Sequence, residues 1–123
     1  MATVKLQVVE YEDGFKDLQY AGDTPVERGT VVYHLSGPTF RKPTRTSIQV
    51  SRDQHIEDKL GRFINHNCDP TVNVVRTYLV AIKTIHPGDS ITFDYNANED
   101  EMSNPFMCRC CGRWVAGLKV INV

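Results

Sequence analysis

Residues 71–85, TVNVVRTYLVAIKTI, constrain the fold of this chain more than any other segment. The segment is rich in β-branched and aromatic side chains, which fit the pleated, half-buried surface of a sheet. Arg76 and Thr77 interrupt the apolar residues near its middle. The segment therefore predicts two strands joined by a turn at this pair, and a fold that contains β-sheet.

Further short strands are predicted on both sides of this segment. Residues 3–9 alternate apolar and polar side chains, and residues 31–33 form a second apolar run between two turns. Residues 86–89, HPGD, predict a turn with proline second and glycine third. Residues 90–95, SITFDY, follow as another strand. Short strands separated by turns indicate a mainly β domain.

Three other segments predict loops and a helix. Residues 36–45 contain two prolines, a glycine and several basic side chains, which predict a loop that either meets an acidic partner or is solvated surface. Residues 53–65 carry apolar side chains at helical spacing, with Asp53 placed as an N-cap, so they predict a short helix. Residues 96–105 are polar and acidic and predict a second loop.

Size and charge limit the class of protein. A chain of 123 residues is expected to form one domain, and 14 basic against 15 acidic side chains give a net charge of -1. Such a chain has no broad field for nucleic acid or an anionic membrane, so neither partner is expected. The N-terminus lacks the pattern of a signal peptide and no run could cross a bilayer, so we expect an intracellular protein with reduced or metal-bound cysteines.

Two segments contain polar residues that folding alone does not require. These are RFINHNCDP at residues 62–70 and GDSITFDY at residues 88–95. Taken singly, Asn65 can satisfy turn backbone, His66 can be a core histidine, and Tyr95 can pack at the rim of a sheet. Together, the two segments resemble the paired motifs of the SET domain, the catalytic domain of protein lysine methyltransferases.

The resemblance is in register over both motifs. The first motif of the family ends in asparagine, histidine, serine and cysteine, and here Asn67 replaces the serine. Thr71 stands where the family usually has asparagine. The second motif ends in phenylalanine, aspartate and tyrosine, which match residues 93–95. The likeness extends more loosely from about residue 19 to residue 123.

The resemblance implies a mainly β fold of several short twisted sheets with one or two short helices. In this fold a knot-like C-terminal crossing brings the two motifs together. Residues 1–105 are expected to form the SET domain, and residues 106–123 a degenerate post-SET-like segment within the same structural unit. The implied activity is methyl transfer from S-adenosylmethionine to a lysine side chain of a protein or peptide.

The resemblance also implies roles for individual residues. Tyr95 is the expected catalytic residue, and Phe93, two residues earlier on the same strand face, predicts di- or trimethylation because it lacks a hydroxyl that would hold water beside the lysine nitrogen. For Tyr33 and Tyr78, core packing is the alternative to a role in the lysine channel. The expected cofactor contacts are Asn65, His66, Tyr20, Arg62 and Phe106, and the expected channel residues are Phe93, Tyr33 and Tyr78.

The four cysteines fall where many SET enzymes hold a zinc ion. The family's third C-terminal cysteine is replaced here by Val115, so either an adjacent cysteine completes the site or the thiols remain reduced without metal. The candidate zinc ligands are Cys68, Cys108, Cys110 and Cys111.

Departures from the family pattern leave alternative functions open. The family usually carries a glycine-x-glycine pair early in the domain, whereas residues 15–19 read FKDLQ, which favours an inactive SET-like module that binds a peptide or protein. A small zinc-binding interaction domain is a third alternative. Glu99, Asp100 and Glu101 either attract a basic, histone-like substrate or are solvated surface. The sequence names neither the substrate protein nor an oligomeric state.

Overall fold

A computed structural model describes residues 4–100, 102–108 and 112–117 of the chain. The described residues form short strands, one 3-10 helix and one short α-helix, so the expected mainly β fold is confirmed. The strands are β1 (Leu6–Glu10), β2 (Lys16–Tyr20), β3 (Val31–His34), β4 (Thr39–Phe40), β5 (Ile48–Ser51), β6 (Gln54–Ile56), β7 (Asn65–His66), β8 (Val72–Val75), β9 (Tyr78–Ala81), β10 (Thr92–Phe93), β11 (Phe106–Met107) and β12 (Trp114–Val115), and the helices are the 3-10 helix Gly61–Phe63 and α1 (Tyr95–Asn98).

The predicted hairpin at residues 71–85 is present and forms the centre of a three-stranded sheet. β8 and β9 pair antiparallel, and β9 also pairs with β3. The turn falls at Arg76, whose backbone φ of 56° lies in the left-handed region. Val72 and Leu79 are fully buried, so one face of this sheet packs on the core.

The N-terminal strand is also present, as one half of a hairpin. β1 and β2 pair antiparallel from Leu6 opposite Tyr20 to Glu10 opposite Lys16. The intervening turn contains Gly14 at a φ of 85°, a conformation that glycine adopts without steric cost.

The predicted helix at residues 53–65 is wrong. Residues 54–56 form β6, the central strand of a sheet in the order β4-β6-β5, and only residues 61–63 are helical. Ile56 reaches the core from a strand instead of from a helix face. A Cβ added at Gly61 would lie 2.9 Å from a methyl carbon of Leu35, so close packing explains this glycine.

The loop at residues 36–45 also contains regular structure. Thr39 and Phe40 form β4, which pairs antiparallel with β6. The prediction of a continuous loop is therefore corrected for these two residues.

The two motifs meet in a short parallel pair of strands. β7 lies beside β10, with Thr92 opposite Asn65 and Phe93 opposite His66. The strand predicted over residues 90–95 ends at Phe93, because the Asp94 carboxylate accepts the Asn96 backbone N–H at 3.0 Å and begins α1. Tyr95 therefore lies in a helix, and the polar loop predicted from residue 96 begins with helical structure.

The C-terminal described segment packs against α1. β11 and β12 pair antiparallel, and the buried Asn96 side chain bonds the backbone of Trp114, Ala116 and Gly117. Cys110, Cys111 and the strand predicted at the C-terminus lie outside the described residues. None of the helices in the described part of the chain is long and apolar enough to span a membrane.

Candidate active site

Two cavities share the β7–β10 pair as a common wall. The larger cavity, about 840 Å³, is bounded by the β1–β2 turn on one side and by Asn65, His66 and Thr92 on the other. The smaller cavity, about 50 Å³, is lined by Ile64, Phe93 and other residues described below. Neighbouring residues of the two motifs thus face different cavities.

Tyr95 lines the smaller cavity, two residues after β10 ends at Phe93. Its hydroxyl donates a hydrogen bond to the Ile64 backbone carbonyl at 2.5 Å. Its ring centroid lies 4.8 Å from that of Phe93 and 5.3 Å from that of His66. Burial raises the pKa of Tyr95 well above its usual value, and the negative charge of Glu99 adds to this effect. The phenol therefore stays protonated and acts as a hydrogen-bond donor.

The His66 ring joins the backbone of Tyr95 to a cysteine. Its Nδ1 accepts the Tyr95 backbone N–H at 3.0 Å, and its Nε2 lies 3.4 Å from the Cys68 sulfur. Burial lowers the pKa of His66, whereas Asp94, 3.6 Å from Nδ1, opposes this shift and Arg113 reinforces it. The hydrogen-bond network assigns the neutral tautomer with the proton on Nε2.

Asn65 holds the first motif against the N-terminal hairpin. Its side-chain amide donates to the Lys16 carbonyl at 2.9 Å and to the Asp17 carboxylate at 3.2 Å. Asp17 is buried and also accepts the Ser90 hydroxyl. This network fixes one wall of the larger cavity.

The opposite wall of the larger cavity was not predicted from the sequence. Tyr11 and Phe15 flank the β1–β2 turn, about half of each side chain is exposed, and their ring centroids lie 5.9 Å apart. Glu12 and Asp13 lie between them, and Asp17 also lines this cavity. The alternating strand followed by YEDGF was the available signal, since it predicts a hairpin turn.

Two other residues expected to contact the cofactor, Phe106 and Arg62, do not line the larger cavity. The ring of Phe106 meets the rings of His66 and Tyr95 edge-on, with a centroid distance of 6.0 Å to each. Arg62 is exposed, lies over the Phe63 ring and lines the smaller cavity.

Three expected tyrosines do not line either cavity as the structure describes them. Tyr20 is buried and donates its hydroxyl to the Thr24 carbonyl at 2.6 Å. The Tyr33 hydroxyl donates to the Asp58 carboxylate at 3.0 Å, and burial first and this carboxylate second raise the pKa of Tyr33 to about 12. Tyr78 stacks on His34 at 4.5 Å. Tyr33 packs partly buried against the core, whereas Tyr78 is 43% exposed, so core packing describes Tyr33 and not Tyr78.

The acidic run is not a uniform solvated surface. Glu99 is buried and accepts the Gln49 backbone N–H, whereas Asp100 accepts the Gln49 side-chain amide at 2.8 Å. Glu101 lies outside the described residues. The two described acids therefore connect the end of α1 to β5 through hydrogen bonds to Gln49. Glu99 also lines the smaller cavity.

Two of the four cysteines lie together beside His66. The sulfur atoms of Cys68 and Cys108 are 3.6 Å apart, and these atoms and one ring nitrogen of His66 lie within 4.8 Å of one another. Two sulfurs bound to one tetrahedral zinc ion would be about 3.8 Å apart, given Zn–S bonds of about 2.3 Å. The observed spacing is compatible with a metal centre.

Comparison with known proteins agrees with this arrangement. The profile of the SET domain matches residues 5–96, which is most of the chain and includes both motifs. The chain belongs to the SET domain family. The motifs that define this SET domain are those that meet at the β7–β10 pair.

Relatives of this SET domain include named histone-lysine methyltransferases. It is 37% identical over 68 residues to histone-lysine N-methyltransferase mes-4 of Caenorhabditis elegans. The aligned region covers 42% of this chain and 7% of that protein. It is 28% identical over 94 residues to the probable histone-lysine N-methyltransferase set-23 of the same organism. That aligned region covers 68% of this chain and 37% of that protein. The chain thus spans well under half of these relatives.

A solved structure of similar fold is KRYPTONITE in complex with mCHH DNA, an H3(1-15) peptide and SAH. Its TM-score is 0.67 at 20% identity, with 87% of this chain and 28% of that chain covered. This likeness shows the SET fold. The family and its relatives associate the chain with lysine methyl transfer in general.

Proposed function

We propose that this SET domain transfers methyl groups from S-adenosylmethionine to the side-chain amine of a protein lysine. One observation carries the proposal. The protonated hydroxyl of Tyr95 is held on the Ile64 carbonyl in the lining of the smaller cavity, and the next two residues of the chain, Asn65 and His66, line the larger cavity. A donor molecule and an acceptor lysine that enter from opposite sides would meet at the wall that the two cavities share.

The larger cavity fits S-adenosylmethionine in size and chemistry. Its volume of about 840 Å³ lies within the usual range for small-molecule sites. The rings of Tyr11 and Phe15 offer apolar faces for a flat base. Glu12, Asp13 and Asp17 complement a ligand that carries positive charge. Asn65 and His66 would hold the ligand from the side of the first motif.

When bound, S-adenosylmethionine supplies a methyl group on a positively charged sulfur. The chain itself supplies alignment and a dry environment, since displacement at a methyl carbon depends on the geometry of donor and acceptor. Ile64 and Phe93 line the smaller cavity and disfavour the charged form of an entering lysine by desolvation. Tyr95 donates a hydrogen bond at this wall without being ionised.

Phe93 supports addition of more than one methyl group. Its side chain is buried and its ring packs against that of Tyr95, but it carries no hydroxyl that could hold a water molecule beside the lysine nitrogen. We therefore propose a di- or trimethylating enzyme.

We also propose a zinc site that includes Cys68 and Cys108. A neutral His66 whose Nδ1 accepts the Tyr95 N–H has its proton on Nε2, so this ring donates toward sulfur and does not bind the metal itself. Cys110 and Cys111 are the remaining candidates for ligands. With this metal, residues 106–123 would form one unit with residues 1–105.

The relatives named as histone-lysine methyltransferases support a histone-like lysine substrate and an intracellular location. The inactive binding module is not favoured. The missing glycine pair falls at the start of β2, yet the larger cavity beside it remains open.

Isothermal titration of the purified protein with S-adenosylmethionine, and separately with its demethylated product, tests the proposal. We expect saturable binding of both ligands with one site per chain. No heat and no thermal stabilisation at millimolar ligand would contradict the proposed function.

A further inference from the structure

Glu99 is a buried acid in the wall of the smaller cavity. Only 4% of the residue is exposed, and it lines the same cavity as Phe93 and Tyr95. It follows the last residue of α1, where its backbone N–H donates to the Tyr95 carbonyl at 2.8 Å. The carboxyl group and the phenol are therefore held by the same short helix.

The carboxylate of Glu99 is only partly satisfied by its neighbours. It accepts the Gln49 backbone N–H, at 3.0 and 3.2 Å to its two oxygens, and the Asn98 side-chain amide at 2.5 Å. A carboxylate has about four acceptor positions, so two donors leave capacity unused. No lysine, arginine or histidine of the described residues forms an ion pair with it.

A buried acid without a cation is costly as an anion, and its pKa reflects this cost. Burial raises the pKa of Glu99 to about 7, against the opposing effect of the hydrogen bonds from Gln49 and Asn98. The negative charge of Asp100 acts in the same direction as burial. The other ionisable groups that share the cavity are Tyr95, which stays protonated, and Arg45 and Arg62, both exposed.

We propose that Glu99 meets the ammonium group of the target lysine in the smaller cavity and accepts its proton. The inference rests on the proposed methyl transfer and adds a residue to it. An N–H bond of the ammonium breaks, an O–H bond forms on Glu99, and the electron pair stays on nitrogen. Glu99 afterwards releases the proton to solvent. The entering cation thus supplies the partner that the carboxylate lacks.

The pH dependence of kcat/KM for a lysine peptide tests this role. Because Glu99 must be ionised to accept the proton, wild-type kcat/KM should rise with pH up to about 7 and then level off. In Glu99→Gln the peptide must arrive as the neutral amine, so the rise should continue toward the pKa of lysine itself, about 10.4. Near neutral pH the variant should lose on the order of 10²-fold in kcat/KM.

A second substrate separates the two sources of the pH dependence. A peptide with S-aminoethylcysteine in place of the target lysine has a less basic amine. It should shift the pH profile of Glu99→Gln to lower pH but leave the wild-type profile near 7. If Glu99 had a purely structural role, Glu99→Gln would alter stability. The pH dependence of kcat/KM would then not change from the ionisation of Glu99 to that of the substrate amine.

Two further variants serve as controls. Asp100→Asn changes a neighbouring acid that also bonds Gln49 but is outside the cavity lining, so its kcat/KM should still level off with pH. The levelling should move to somewhat lower pH than in wild type, because the Asp100 charge that helps raise the pKa of Glu99 is removed. Glu99→Asp keeps a carboxyl group and should retain the levelling near neutral pH. Folding of each variant is checked by circular dichroism.

The wild-type profile alone can overturn the inference, even if Glu99→Gln fails to fold. A wild-type kcat/KM that rises tenfold per pH unit up to about pH 10 would exclude a proton acceptor of pKa near 7. Identical profiles for wild type and a folded Glu99→Gln would exclude it as well. Both results leave the proposed methyl transfer intact, whereas no methyl transfer by wild type to any lysine peptide removes the proposed function and this inference together.

Discussion

Asn96 holds the C-terminal segment onto the rest of the domain, so its removal should loosen the site as well as the fold. The side chain is 2% exposed and makes three hydrogen bonds to segment 114–117. It donates to the Trp114 carbonyl at 2.9 Å and accepts the backbone N–H groups of Ala116 and Gly117 at 3.0 and 2.9 Å. This segment includes β12, whose partner strand carries Phe106.

We predict that Asn96→Ala lowers the free energy of unfolding by about 3–4 kcal/mol. The change leaves the buried N–H groups of Ala116 and Gly117 without an acceptor, at about 1–2 kcal/mol each, and the Trp114 carbonyl loses a bond worth about 0.5–1 kcal/mol. For a domain of this size the melting temperature should fall by roughly 12 °C. Such a loss is a large share of the stability of an ordinary domain.

Urea and thermal unfolding followed by circular dichroism measure this loss. Asn67→Ala is the control, because that side chain makes one exposed hydrogen bond, to the Asp69 backbone, and should cost at most about 1 kcal/mol. If Asn96→Ala unfolded within about 1 kcal/mol of wild type, the described packing of segment 114–117 on α1 would be wrong.

Three further changes test individual residues of the site. Tyr95→Phe should remove most turnover and leave the affinity for S-adenosylmethionine within a few-fold of wild type, because it deletes one hydroxyl at the wall; kinetics and titration calorimetry measure the two quantities, and near-normal turnover would show that the tyrosine has been misassigned. Phe93→Tyr should shift the product toward monomethyl-lysine, as seen by mass spectrometry of a methylated peptide, whereas lower stability without a product shift would indicate simple packing. Cys68→Ser should reduce the zinc content of the purified protein from about one ion per chain, measured by elemental analysis; a metal-free wild type would instead indicate reduced thiols.

Local sequence was sufficient to predict parts of the fold where side-chain type alone decides the structure. β8 and β9 follow from β-branched and aromatic residues, and the turn between them falls at Arg76 as expected. The turn at residues 86–89 also agrees, since Gly88 has a φ of 88°. These features depend on residues within a few positions of one another.

Predictions failed where pairing with another segment of the chain decides the structure. The apolar spacing of Ile56 and Leu60 fits a helix, but β4 and β5 supply hydrogen-bonding edges that make residues 54–56 a strand. Glu99 belongs to an acidic run that resembles surface, yet it is buried through Gln49, which lies 50 residues earlier in the chain. Periodicity and composition contain no information on such pairings.

The paired motifs predicted which residues of the candidate site lie together, but not the hydrogen bonds between them. The resemblance brought Asn65 and His66 together with Tyr95, and the β7–β10 pair agrees with this. It did not reveal that the Tyr95 hydroxyl bonds the Ile64 carbonyl, because backbone groups have no signature in the sequence. Their direction depends on the parallel pairing of two-residue strands that no local pattern specifies.

Mass spectrometry of a lysine-bearing histone substrate, incubated with S-adenosylmethionine and the purified chain, tests the central claim most directly. The account predicts an increase in substrate mass by two or three methyl groups on one lysine, and loss of most of this increase with Tyr95→Phe. An unmodified substrate under excess cofactor, in a sample that binds S-adenosylmethionine and remains folded, would contradict the assignment of this site as a lysine methyltransferase.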